Sequence, residues 1–166
     1  MKLFIAILGV VLLLVWAGIR IVAGIQFDQQ CEGYLKRAAD ANTVELARVE
    51  LARAVAYAQQ NQLTTGYTSI IYRTPGEDVG FWYANLAASL LELESVGPDA
   101  TQLERSNVLM KLRETLLDGG DHGPSVTIPT GISVFPRNSQ YALFGTLALL
   151  LMSGGIVALV IEDGTW

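Results

Sequence analysis

The stretch Tyr141–Ile161, YALFGTLALLLMSGGIVALVI, decides the architecture of this chain. Its twenty-one residues carry no charge. As an α-helix rising about 1.5 Å per residue, it reaches about 31 Å, the depth of a bilayer's hydrocarbon core. A helix of that length in a soluble domain keeps a polar face, and this one has none. Gly145, Ser153, Gly154, Gly155 and Ala158 give it a small-residue surface, with Gly154 and Ala158 four apart. That spacing suits close helix packing in lipid.

A second apolar stretch, Leu3–Ile19, opens the chain and continues past Arg20 as Ile-Val-Ala-Gly-Ile to Phe27. Its seventeen uninterrupted apolar residues meet the lower limit for a crossing, and the continuation lengthens it. Arg20 then lies near one interface, where its long stem lets the guanidinium reach water. The competing reading is a cleaved secretory signal, with Lys2 as a minimal basic region and Ala23-Gly24 as small residues. The run exceeds the usual signal core of about 7–15 residues, so an uncleaved anchor is expected.

Sidedness rests on opposing signs. Lys2 favours a cytoplasmic N-terminus, while Arg20 and Arg137 flank the runs on the side of the intervening domain. The positive-inside rule weakens across long loops. The expectation adopted is an integral protein of the bacterial inner (cytoplasmic) membrane with its domain extracytoplasmic.

Between the two runs the composition is that of a soluble domain, long enough to bury one core. Acidic residues outnumber Lys and Arg there by 14 to 9, and the net charge of the chain is −5. With no basic stripe, nucleic acid is not an expected partner, and an acidic domain gains little from anionic lipid. The one cysteine, Cys31, permits no internal disulfide and sits outside any lipobox.

Four helices are legible in this domain. Asp28–Asp40 places Cys31, Tyr34, Leu35 and Ala38 on one face and can continue from the first apolar run. Asn42-Thr43-Val44-Glu45 supplies a capping side chain and a Glu, followed by Val44, Leu46, Ala47, Leu51, Ala54, Val55 and Ala58. Thr74-Pro75-Gly76-Glu77 sets Thr as N-cap and Pro as first helical residue. Val79, Trp82, Tyr83, Leu86, Leu90 and Leu93 then trace a helical face that Gly97-Pro98 closes. Asp99-Ala100-Thr101-Gln102 opens the last helix, with Leu103, Val108, Leu109, Leu112 and Leu116 as its apolar face and Gly119-Gly120 as its stop. Paired helices rich in Ala, Leu and Tyr resemble tetratricopeptide packing, although the repeat of about 34 residues that marks that family is absent.

Two stretches are not helical. Thr64–Arg73, rich in β-branched and aromatic residues, reads as an extended, packed loop. In Pro124–Pro136, Val126 alternates with Ile128 and Ile132 with Val134 about a Pro129-Thr130-Gly131 turn, which predicts a short hairpin.

The expected fold is therefore an all-α membrane protein: two transmembrane helices enclosing a four-helix extramembrane domain, as a bundle or helical hairpins, with a short extended or β segment before the second span. The divisions are 1–26 for the first span, 27–120 for the helical domain, 121–140 for the extended segment, 141–161 for the second span and 162–166 for a tail.

Chemistry is sparse. His122 sits in a glycine loop beside Asp121, too few groups for a metal site. No nucleophile elbow, phosphate loop, dinucleotide fingerprint or Cys-x-x-Cys occurs. The pairs Glu77-Asp78, Glu92/Glu94 and Glu162-Asp163 read as capping or solvated charges. No enzyme, metal or cofactor is expected. An enzyme would need converging titratable groups, for which Cys31, His122, Asp121 and Glu77 are the candidates to replace.

The richest surface signal is Tyr67, Tyr72, Arg73, Phe81, Trp82 and Tyr83, all residue types that anchor interfaces. Phe81, Trp82 and Tyr83 are consecutive, and a helix cannot turn all three inward. The expectation is a non-catalytic accessory or scaffold subunit of a larger membrane assembly, with other membrane-protein subunits and the bilayer as partners. The alternative is a stand-alone sensor or a peptide- or ligand-binding module.

Overall fold

The structure is a computed structural model, and it describes residues 1–120 and 123–163. Contacts divide the chain into two units: Met1–Gly24 with the segment from Arg137 onward, and Ile25–Pro136.

The first unit contains two long apolar helices, most of α1 (Lys2–Phe27) and α6 (Asn138–Asp163). Both are long and apolar enough to cross a membrane, and most of their apolar surface is not buried in the protein. They do not have the surroundings of core helices, which bury such faces. Within the unit α1 and α6 run antiparallel. A Cβ on Gly9 would collide with the Met152 backbone, and one on Gly155 would lie 2.6 Å from the Ala6 nitrogen. The steps from Ala6 to Gly9 to Trp16 are matched by equal steps back from Gly155 to Met152 to Gly145. α6 also extends beyond the expected 141–161 span at both ends, from Asn138 to Asp163; 164–166, the end of the expected tail, lie outside the described residues.

The second unit is mainly helical. A π-helical turn, Asp28–Glu32, follows α1 directly and leads into α2 (Gly33–Ala39). Gly33 permits this turn, because a Cβ there would stand 3.0 Å from the Asp28 carbonyl oxygen. Thr43 caps α3 (Val44–Gln60), its hydroxyl accepting from Leu46 N–H at 3.3 Å. Ala47, Leu51, Ala54 and Ala58 form the buried stripe of α3 and let α2 and α4 (Val79–Ser95) approach it. α5 (Gln102–Leu116) starts at a capping box in which Thr101 N–H donates to Glu104 Oε2 at 2.7 Å. Leu35, Leu51, Leu86, Leu93, Leu112 and Leu116 meet in the core.

The structure corrects several sequence expectations. α4 begins at Val79, not at Pro75. Thr74–Glu77 does form a capping box, but around a separate 3₁₀ turn, and Asp78 is the true N-cap, accepting from Phe81 N–H at 3.0 Å. Leu46 and Leu103 are exposed instead of facing inward. Leu103 precedes Leu112 by nine residues, which at about 100° each is half a turn, so the two cannot share a face. The hairpin lies earlier than expected. It pairs β1 (Leu117–Gly120) with β2 (Gly123–Val126), while Ile132–Val134 forms a 3₁₀ turn. Gly123, at φ +103°, adopts the left-handed backbone that the turn side of this pairing uses, and Gly131, at φ +76°, starts the 3₁₀ turn instead of reversing a strand.

Candidate interaction surface

Asn61 is the C-cap of α3, and Leu63 N–H returns to the Ala58 carbonyl at 2.8 Å, which closes the C-terminal turn of the helix. The next segment pairs with the entry to α4. Tyr67 bridges Asp78, Thr68 N–H donates to the Glu77 carbonyl at 3.0 Å, and Val79 N–H donates to the Gly66 carbonyl at 2.9 Å. Residues 69–76 are therefore an excursion with clamped ends, the geometry of a compact Ω-loop. Gly66 (φ +100°) lies against Phe135, whose ring would stand 3.2 Å from a Cβ at that position.

Internal bonds shape the loop. Tyr72 N–H donates to Ser69 Oγ at 3.2 Å, and the Thr74 hydroxyl donates to Glu77 Oε2 at 2.7 Å. The expectation of a packed loop holds at its root, where Thr68 is buried. It does not hold at the tip, where Ile70, Ile71 and Tyr72 are 54%, 80% and 75% exposed. The reason is local: the clamp fixes the ends, and no second layer of structure within this unit covers the excursion. Ile70 and Ile71 were not singled out by residue type, although three large apolar residues in succession between Gly66 and Pro75 carry the signal.

Tyr67, Arg73 and Phe81 come together around a shallow depression of about 270 Å³ that Pro75 and Asp78 complete. The Arg73 guanidinium lies over the Tyr67 ring, 5.5 Å from its centroid. Phe81 is 65% exposed. Trp82 turns the other way, into the core, and its indole N–H donates to the Thr127 carbonyl at 3.1 Å. Tyr83 is half-buried on the α3 side and accepts from Gln59 Nε2 at 2.7 Å through its hydroxyl.

Among the helix-packing candidates, Gly145 faces Trp16, and a Cβ there would be 2.8 Å from the indole. Gly154 has open space around it, Ser153 is exposed with its hydroxyl donating to the Leu150 carbonyl at 3.3 Å, and Ala158 is half-buried. Gly9 and Gly155 also stand at close approaches. Gly155 belongs to the small-residue surface expected from the sequence, whereas Gly9 is a lone glycine in an apolar run, which is why sequence spacing did not single it out.

Of the titratable candidates, Cys31 is buried with its thiol directed at the Ala54 carbonyl, 3.9 Å away. Burial, with the nearby Glu32 carboxylate, pushes the thiol up to about 12. At neutral pH it is a protonated core side chain, not a nucleophile. Glu77 is held by Thr74 in its capping box. Asp121 and His122 lie outside the described residues. Among the described residues, no cluster of three or more His, Cys, Asp or Glu is placed to hold a metal.

Comparison with family models gives no match, and comparison with curated proteins and with solved structures gives no significant match. Fold and surface define a small helical domain that lies in the chain between two apolar helices, with an aromatic corner at the entry to α4.

Proposed function

We propose that this chain is a membrane-anchored, non-catalytic accessory or scaffold subunit of a larger membrane assembly. In this reading α1 and α6 cross the bilayer, in a bacterial inner membrane with the domain extracytoplasmic. The observation that carries it is the split of the α4 entry: Trp82 is spent on the core while adjacent Phe81 stands exposed beside Tyr67 and Arg73. An aromatic and an arginine flanking a shallow depression suit an anchor residue from a partner subunit. The test is extraction of the tagged full chain in mild detergent, with size analysis and identification of stoichiometric companions. Companions lost on Phe81→Asp but retained on Leu103→Asp support the reading. Recovery of the chain alone, or equal retention in both variants, overturns it.

A second reading, a stand-alone ligand-binding module, draws on a groove of about 320 Å³ along α4 that includes Trp82, Leu86 and Ile128. A mainly apolar groove suits a small apolar ligand or peptide side chain. A ligand-induced rise in melting temperature that Ile128→Trp abolishes favours this reading, and no shift across a broad ligand set counts against it.

A further inference from the structure

We propose that the loop tip Ile70-Ile71-Tyr72 is a membrane-contacting element that inserts into the interfacial layer of the bilayer holding α1 and α6. This rests on the reading of those helices as spans, and it concerns the loop tip, which adjoins but does not line the depression assigned to a protein partner. Three observations carry it.

The first is exposure. Three consecutive large side chains, Ile71 at 80% exposed among them, project from a loop whose ends are clamped by backbone hydrogen bonds. The clamp holds them outward whether or not anything covers them, and a contiguous apolar patch of this kind marks a contact surface.

The second is the root of the loop. Gly66 lies against Phe135, and Phe135 precedes by three residues Asn138, where α6 begins. Chain length alone holds Phe135 within about 10 Å of Asn138. The root of the loop thus packs against a residue that stands three positions before α6 in the chain.

The third is composition. Two aliphatic residues followed by a tyrosine are types found at the boundary of hydrocarbon and water. The acidic neighbours Glu77 and Asp78 are committed to Thr74 and to the Phe81 amide, so they are held at the base of the loop. In an acidic chain, insertion of this kind is driven by apolar burial and does not require anionic lipid.

The test uses the full chain in bilayers of zwitterionic phosphatidylcholine. A nitroxide is attached at Ile71→Cys or, in a separate sample, at Leu150→Cys on the exposed surface of α6. Collisions of the nitroxide with oxygen, which partitions into lipid, are compared with collisions with a water-soluble nickel chelate. The unmutated chain, treated identically, is the blank for buried Cys31. The expected result is an excess of oxygen over nickel collisions at position 71, and a larger excess at 150. An excess at 150 with a water-like ratio at 71 overturns the loop proposal and leaves the spans intact. A water-like ratio at 150 overturns the membrane reading and this inference with it. A ratio at 71 that is water-like in pure lipid, but shielded from both reagents in native membranes, assigns the tip to a protein partner and also overturns the proposal.

Discussion

The indole N–H of Trp16 donates to the Tyr141 carbonyl at 2.7 Å, and the same ring fills the space where a Cβ on Gly145 would stand. One side chain thus ties α1 to α6 by a polar bond and by a steric fit. The Arg20 guanidinium lies over this indole, 5.1 Å from the ring centroid, and helps fix its orientation. Gly145→Ala should cost about 1–3 kcal/mol, since the indole must move to admit the methyl group. Gly154→Ala, with open space around it, should stay within about 0.5 kcal/mol. Thermal unfolding of the two variants in the same mild detergent separates these outcomes, and equal shifts would refute the lock.

Trp82 and Phe81 divide stability from recognition. Trp82→Phe deletes the N–H that satisfies the Thr127 carbonyl and should cost about 1–2 kcal/mol. Trp82→Ala adds a cavity and should cost about 3–5 kcal/mol. Phe81→Ala should leave the melting temperature nearly unchanged, because its ring is mostly in solvent. A large destabilisation by Phe81→Ala would mean that the ring supports the fold and is not free for a partner.

Glu50 is 6% exposed on α3, and its Oε1 accepts from Arg37 of α2 at 2.8 Å and from Arg53 at 3.4 Å. Both guanidinium groups also approach the Tyr34 ring, at 5.9 and 5.4 Å from its centroid. Removing both arginines leaves a buried carboxylate without a counter-charge. The double variant Arg37→Ala, Arg53→Ala should lose about 3 kcal/mol in denaturant titration. Lys36→Ala, which breaks only the exposed pair with Asp40, should lose less than about 0.5 kcal/mol.

Cys31 makes stability fall at high pH. Its thiol stays protonated up to about 12 in the fold, against an ordinary value of 9.0 once the chain unfolds. Below 9.0 both states hold the proton and the thiol has no effect on the pH dependence. Between 9.0 and about 12 the unfolded chain binds fewer protons, so stability declines as pH rises. Tyr57, pushed up by burial and by the neighbouring Cys31, adds a decline of the same sign. Cys31→Ala should flatten the curve over the alkaline window, and unchanged slopes would contradict the burial account. In the native chain at pH 8, maleimide should modify Cys31 only after denaturant is added.

Much of the architecture is readable from one dimension because its causes are local. Uninterrupted apolar runs of membrane-crossing length need no tertiary information to be found. Thr43 and Thr101 start helices through side chains that reach their own backbone within one turn. The stripe Ala47, Leu51, Ala54 and Ala58 follows from helical period alone.

Where two signals competed within a few residues, position was decided by tertiary contacts. Thr74-Pro75 and Asp78 are both sound helix starts, and the pairing of Tyr67 with Asp78 stops the first after a single turn. The alternation at 126–134 is genuine, but Gly123–Val126 pairs back onto Leu117–Gly120 and Ile132–Val134 closes into a 3₁₀ turn.

The sequence by itself determined the two apolar helices, the four-helix domain between them and the presence of an aromatic cluster, because length, period and capping act over a few residues. Only the tertiary structure decided that Trp82 belongs to the core and Phe81 to the surface, that Gly9, Gly145 and Gly155 mark the helix contact while Gly154 does not, and that Ile70, Ile71 and Tyr72 stand uncovered. Each of these depends on which distant residue fills the neighbouring space (Thr127 for Trp82, Trp16 for Gly145, Phe135 at the root of the loop), and spacing along the chain carries no record of that.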